Sequence, residues 1–245
     1  MQLENYKEAW RSKKVLRLIY QDYYNIINRH CNDGNILEIG GGIGNFEING
    51  RKIVKTDIQH SNLVNLVADA HNLPFSDSAF ENIVLIDVLH HLDCPVNFLK
   101  ESSRVLKRDG RLIMIEPGIT PISWLLYKIA HDEEVDMSWR PSMDCIPNVN
   151  KKPYDSNQAI PTLIFNKYSS ILNVLNLSIV NKNWLSLFGY PLSGGFQKWS
   201  LIPSRFISFL LKIESKLLPF LGPIMAFRLV IVLKNTKLKT LPHNE

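Results

Sequence analysis

Apolar residues recur at helical spacing between positions 3 and 30, where Leu3, Tyr6, Trp10, Val15, Leu18, Ile19, Tyr23, Ile26 and Ile27 alternate with charged residues. That period predicts an amphipathic helical region at the start of the chain. Asn32, Asp33 and Gly34 close it. The pattern then changes to short, uniformly apolar runs bounded by turn residues, at 36–39, 53–56, 63–67, 83–86 and 112–115. Runs this short and this apolar predict strands buried on both faces of a parallel sheet. Between the last two, residues 96–106 read as an amphipathic crossover helix, with Asp109 and Gly110 as its stop signal. Strand, helix, strand is the repeating unit of a doubly wound α/β fold with a mostly parallel sheet.

After Pro117 the regularity fails. Pro121, Pro141, Pro147, Pro153 and Pro161 punctuate a stretch that includes His131 and the acidic run Asp132, Glu133 and Glu134. This reads as a substrate-side insertion of loops and short helices, followed by a helix at 166–175 and a strand at 177–184. Residues 204–218 place Arg205, Lys212 and Lys216 on one face and Phe206, Phe209, Leu210, Ile213 and Leu217 largely on others. Residues 227–233 are the expected last strand. The chain is therefore expected to form one domain over 1–245. Its core spans 35–117, an insertion with a helix and a strand spans 118–203, and an amphipathic helix and last strand span 204–245.

Composition changes this picture little, being 45% hydrophobic and 21% charged, as in ordinary globular proteins. The location of the charge says more. From Arg205 onward seven Lys and Arg face two acids, which is the chain's whole excess of five. No basic stripe with interleaved aromatics lies elsewhere, so nucleic acid is disfavoured as a partner. The cationic segment over 204–227, with its aromatic and leucine-rich continuation, would allow peripheral contact with a membrane, although covering the protein's own core is the plainer role for such a helix. No uninterrupted apolar run approaches the roughly 20 residues of a spanning helix. The first ten residues hold two acids and no apolar signal region. Cys31, Cys94 and Cys145 are too few and too far apart for a disulfide framework, so a reducing, cytoplasmic setting is expected.

The most informative segment is NILEIGGGIGNF at 35–46, a buried strand opening into a glycine-rich turn. Gly40, Gly42 and Gly44 remove side chains where a ligand must approach the main chain. A dinucleotide fingerprint starting at Gly40 would place its third glycine at Asn45, so a pyrophosphate is disfavoured. Asp57, closing the second strand, can accept both hydroxyls of a ribose, and Asp69, closing the third, can accept from an adenine amino group. Glu38 can bond the backbone N–H groups of the loop or reach the amino end of a ligand. A loop and three carboxylates fit a ligand with a ribose, an adenine and a cationic end.

At these residues the sequence resembles the class I S-adenosylmethionine-dependent methyltransferases, in the group whose fourth strand runs into a paired histidine. Residues 38–44 match that family's first motif, Asp57 its second-strand acid, and Asp69 and Ala70 with the following LPF its third. FENIVLIDVLHHL at 80–92 and RVLKRDGRLIMIEP at 104–117 resemble its fourth and fifth. The resemblance implies a Rossmann-like methyltransferase fold and S-adenosyl-L-methionine as cofactor. It implies cofactor contacts from Glu38, Gly40, Gly42, Gly44, Asp57, Ile58, Asp69, Ala70 and Asp87. One departure stands out, because only residues 45–56 hold what is usually a full helix plus the second strand, so the first crossover must be short or irregular.

By resemblance the reaction is methyl transfer to a small-molecule, glycan or lipid-linked acceptor. His91 is the favoured general base, since a neutral imidazole is available at pH 7, and a structural role for the histidine pair is the competing reading. Glu116, ending the fifth strand, could bind substrate or act as a base, or it could hold the following loop. His131 and the acidic run could contact the acceptor from the insertion, and a metal site is not expected. The rivals are a nicotinamide-dependent oxidoreductase or epimerase, and a non-catalytic nucleoside-binding protein of the same fold.

Overall fold

The computed structural model describes residues 2–130, 134–148, 150–152 and 154–237. Seven strands form one sheet in the order β3-β2-β1-β4-β5-β7-β6. They are β1 (Ile36–Ile39), β2 (Ile53–Asp57), β3 (Leu66–Val67), β4 (Phe80–Ile86), β5 (Leu106–Pro117), β6 (Leu177–Leu185) and β7 (Arg228–Asn235). The first five are parallel, while β7 is antiparallel to both β5 and β6. The expected doubly wound, mostly parallel sheet is present. Its strand order reverses between β1 and β4, and ligands of such sheets bind where carboxyl ends meet at that reversal.

Side-chain alternation divides the sheet's two faces. Leu112 and Met114 of β5 with Leu229, Ile231 and Leu233 of β7 face one layer. This layer is α3 (Pro95–Val105) together with α5 (Ile160–Thr162) and α6 (Ile171–Val174). Ile113, Ile115, Val230 and Val232 face the other layer, made by α2 (Lys14–His30) and the long α8 (Ser204–Met225). Helices α1 (Gln2–Ser12), α4 (Pro121–Ala130) and α7 (Gly189–Ser193) lie around this framework.

Several boundaries differ from expectation for physical reasons. The helix expected at 166–175 starts earlier, at Ile160, and breaks in a π-turn over Leu163–Lys167 before α6. The amphipathic helix does not stop at Leu218 but runs to Met225 through Pro219 and Pro223. Proline removes a helical N–H and costs about 3 kcal/mol in a free helix. Tertiary packing overrides it here, because Gly222 presses against Trp184 so closely that a Cβ would sit 2.7 Å from the Cβ of that residue and 3.0 Å from its ring. Asp109 and Gly110 do not end α3 but bulge out of β5, whose pairing with β4 jumps from Leu106 to Arg111. The third strand is only two residues long, and both are exposed. Among the described residues no helix links β1 to β2, so the short, irregular first crossover is as expected. No helix among the described residues is long and apolar enough to cross a membrane.

One buried cation ties the chain's beginning to its last third. Lys13, between α1 and α2, donates from Nζ to the carbonyl oxygens of Ser193, Gly195, Gln197 and Trp199 at 2.6–2.9 Å. Desolvation lowers the pKa of this ammonium. Replacing it with an isosteric thioether would strand buried acceptors that each cost about 1–3 kcal/mol when unpaired. Lys13→Met is therefore expected to cost about 3 kcal/mol in urea unfolding. Lys13→Arg should fail to restore it, since a planar fork does not suit four converging carbonyls. A wild-type unfolding midpoint in Lys13→Met would contradict this account.

Candidate functional site

The glycine loop leaves β1 at the reversal point. Gly40 has φ +70°, and a Cβ there would lie 2.4 Å from Cγ2 of Val88, so this position must be glycine for the loop to pass the exit of β4. Gly42 at φ +46° donates its backbone N–H to Asp57 Oδ2 at 2.8 Å. Gln59 donates to Asp57 Oδ1 at 2.8 Å. Asp57 thus braces the loop, one of the two roles open to Glu38 from the sequence, while each of its oxygens keeps acceptor capacity. Ile58 beside it is 56% exposed at the rim. The turns of 40–52 contain no helix, so the loop offers no helix N-terminus to a pyrophosphate.

Glu38 is buried, and its Oε2 has no hydrogen-bond partner. Desolvation pushes this carboxyl up to about 8, against the opposing pull of Lys55 and with help from Asp57. A buried carboxylate with a bare oxygen is costly unless a cation or donor arrives to meet it. Tyr24 of α2 supplies a second such atom, because its hydroxyl is also buried and unpartnered. Burial first, and the charges of Glu38 and Glu47 next, raise the pKa of this phenol. The sequence hid Tyr24 inside a pattern of helical apolar positions, although Tyr20, Tyr23 and Tyr24 share one helix face by their spacing.

Beyond β3, Asp69 Oδ1 accepts the backbone N–H of His71 at 2.9 Å and lies 2.7 Å from its Nδ1. Asp69 is exposed and Ala70 is buried beside it. The exit of β4 is built differently. Asp87 takes a left-handed φ of +58° and pairs with Arg228 at the start of β7, while Tyr20 donates to its Oδ2 at 3.2 Å. Both Asp87 oxygens, expected to face the cofactor, therefore have protein partners. Burial would raise this carboxyl, but the Arg228 charge and hydrogen bond prevail and hold it below the usual range. Arg228 is itself buried and stacks 3.9 Å from the Tyr190 ring centroid and 5.6 Å from that of Tyr23. Neither Arg228 nor Tyr190 carried a signal in the sequence, because their contacts depend on pairing β7 with β5.

Glu116 lies beneath the site rather than in it. It is fully buried, with Oε1 accepting the N–H groups of Val88 and Leu89 at 2.9 Å and Oε2 lying 2.7 Å from His90 Nδ1. Its carboxylate holds the turn after β4, not the loop that follows Glu116 itself, and it is a positioning group. His91 is the member of the pair that stays available. Its Nδ1 is buried and unpartnered, and the ring makes a hydrogen bond to the backbone of Asp155. Desolvation and the neighbouring His90 lower its pKa to about 3, so the imidazole is neutral near pH 7.

The insertion is strapped onto this turn. Cys94 and Cys145 form a disulfide with their Cα atoms 5.6 Å apart, which corrects the expectation that the cysteines stay unpaired. Sequence spacing could not show it, since 51 positions separate the two. Asn97 Nδ2 donates to the Cys145 carbonyl at 2.9 Å, and Asn148 donates its backbone N–H to Asp93 Oδ2 at 2.5 Å. Lys151 pairs with Asp93 at 3.3 Å, and the Asn157 backbone N–H donates to the His90 carbonyl at 3.0 Å. Of the candidate acceptor contacts, His131, Asp132 and Glu133 lie outside the described residues, and Glu134 is exposed, bridging to Asn157.

Residues 37–114 match the family model described as a methyltransferase domain. An uncharacterised protein of Methanocaldococcus jannaschii is 30% identical over 105 residues, which are 40% of this chain and 51% of that one. A demethylmenaquinone methyltransferase of Thermotoga maritima is 43% identical over 51 residues, covering 21% of this chain and 22% of the other. The chain thus matches about half or less of the length of these curated relatives. The fold is that of a SAM-dependent methyltransferase from Archaeoglobus fulgidus, with a TM-score of 0.53, 16% identity, and coverage of 93% of this chain and 97% of that one.

Opening the disulfide is expected to loosen the strap selectively. A crosslink across 51 positions contributes about 4 kcal/mol through the entropy of the unfolded chain. Dithiothreitol should therefore lower the thermal midpoint, and amide exchange should speed up at 141–148 and 154–158 while β4 stays protected. An unchanged midpoint and exchange pattern would show that the polar contacts alone hold the strap.

Proposed function

We propose that this chain is a class I S-adenosylmethionine-dependent methyltransferase that binds S-adenosylmethionine at the glycine loop and transfers its methyl group to a small-molecule, glycan or lipid-linked acceptor. The observation that carries the reading is Glu38, a buried carboxylate with a bare oxygen beside a loop braced by Asp57. Glu38 would receive the ammonium end of the cofactor with the Tyr24 hydroxyl nearby, Asp57 the ribose hydroxyls, and Asp69 the adenine amino group, with Ile58 and Ala70 flanking the base. The backbone of Gly40, Gly42 and Gly44 would line its path. Bound there, the cofactor supplies an electrophilic methyl on a sulfonium whose charge disperses during transfer.

His91 would face the acceptor at the β4 exit. Its bond to the Asp155 backbone engages one nitrogen and leaves the lone pair of Nδ1 to accept from an acceptor O–H or N–H. With a pKa near 3 this nitrogen orients the acceptor more than it removes a proton before transfer. The positioning of acceptor against methyl then carries most of the rate effect, for which about 7–11 kcal/mol is available from orientation. The dinucleotide alternative loses support from Asn45 and from a loop that opens into turns. The lipid-linked acceptor gains support from the exposed apolar side chains of α4 and α8 beside the site.

Titration calorimetry with S-adenosylhomocysteine, and with NAD as control, tests the site. Asp57→Ala is expected to weaken binding about 10–100-fold, equivalent to one charge-assisted hydrogen bond of about 1.5–3 kcal/mol. His91→Ala should leave binding near wild type and slow methyl transfer by about 100-fold. Binding of NAD in place of the sulfur nucleoside would remove the assignment.

The pH dependence follows from Glu38. Its carboxyl, raised to about 8 in the free protein, is mostly protonated at pH 7, whereas an ammonium ligand requires the carboxylate. Affinity should rise with pH by up to tenfold per unit below pH 8, level off above it, and be accompanied by proton release. Glu38→Gln should abolish that slope. A flat profile in the wild type would mean that the cationic end of the ligand binds elsewhere.

A further inference from the structure

Helices α4 and α8 meet at the same edge of the sheet as the site. Helix α4 begins four residues after β5 ends, and α8 ends three residues before Arg228, the partner of Asp87. The segments that adjoin them are tied there by Thr120, just before α4, which donates to the carbonyl of Ala226, just after α8, at 3.1 Å, and by Tyr127 of α4, which donates to that of Phe227 at 3.3 Å. Their outward sides are apolar. On α4, Leu125 and Ile129 lie one turn apart and are 48% and 72% exposed. On α8 a single stripe runs through Phe209, Lys212, Lys216, Phe220 and Ile224 at spacings of three and four, with Phe220 77% exposed.

The exposed charge carried by the two helices themselves has one sign, the acids at 132–134 lying beyond the end of α4. Helix α4 contains no acid, and the only acid of α8, Glu214, is buried, where it accepts the backbone N–H groups of Phe188 and Gly189. The exposed cations sit among the apolar residues, with the Lys128 ammonium 4.2 Å from the Trp124 ring centroid. Long lysines that lay their stems along apolar surface and a Trp bearing one polar edge suit the boundary between water and lipid. A second copy of the chain would bring the same positive charge to this surface, which disfavours self-association.

We propose that the joint outer surface of α4 and α8 seats the protein on an anionic lipid bilayer, with apolar side chains entering the headgroup boundary and Lys128, Lys212 and Lys216 meeting lipid phosphates. In depth this is a peripheral attachment. It opens the strand ends of β4 and β5 toward the membrane, so an acceptor held in the bilayer reaches the site without crossing water. The proposal rests on the lipid-linked branch of the functional reading for its purpose alone, since the attachment needs neither cofactor nor acceptor.

The test is co-sedimentation of the full chain with vesicles of phosphatidylcholine, alone or mixed with phosphatidylglycerol. S-adenosylhomocysteine binding is measured on the same preparation, so that failure of attachment and failure of the methyltransferase reading are told apart. Anionic vesicles are expected to bind at least about tenfold more tightly than neutral ones, and salt should weaken that binding. Lys128→Glu with Lys216→Glu should abolish the preference, and Ile129→Ser with Phe220→Ser should weaken binding about tenfold or more. All four positions are exposed, and circular dichroism confirms folding. Equal sedimentation with and without vesicles would overturn the proposal. So would a concentration-dependent dimer that these substitutions dissociate, because the surface would then be a subunit contact.

Discussion

The carboxylate of Glu116 is the constraint on which the ligand edge of the sheet depends. It lies at the end of β5 and is fully buried, yet its two oxygens bond three consecutive residues after β4. A buried carboxylate is tolerated only when its lone pairs are met, and meeting them fixes the path of the turn. From that path follow the close passage of Val88 against Gly40 and the orientation of the histidine pair. The disulfide anchor at Cys94 and the grip of Asp93 on the insertion lie a few residues further along the same turn. The turn after β4, and the insertion strapped to it, are thus hung from one side chain on a neighbouring strand.

The start of that turn depends on a different device. Asp87 and Arg228 are neighbours only because β7 runs antiparallel beside β5, which brings the start of one strand level with the exit of β4. Arg228 is stripped of water and compensated by one carboxylate and two aromatic faces. The Tyr20, Tyr23 and Tyr190 rings that enclose this pair come from α2 and α7. Electrostatic order at the site is therefore distributed. Glu38 waits with an open oxygen, while Asp87 is already neutralised.

The central sheet and the glycine loop were legible because burial on both faces leaves short apolar runs, and because a sharp turn beside a ligand leaves glycines. Asp57 and Glu38 were legible as acids at strand ends, but their division of labour was not. Which of them braces the loop depends on the direction in which the Gly42 N–H points. Tyr24 was concealed because a buried phenol looks apolar to any periodicity. The Cys94–Cys145 link and the Arg228 pair were invisible since both join segments far apart in sequence. The amphipathic helix was placed correctly at its start and cut short at Pro219, where packing of Gly222 on Trp184 outweighs local preference.

The grip of Lys13 on four carbonyls near residue 199 also orders events in time. Those acceptors lie up to 186 positions downstream. At a synthesis rate of about 5–20 residues per second, roughly 10–40 s separate the making of the lysine from that of its last acceptor. Through that interval the Lys13 ammonium lacks its four acceptors, while the helix behind it can already pack on Phe46, Val84 and Ile113. The buried contact of Lys13 can thus close only after the loop at 193–199 has been made.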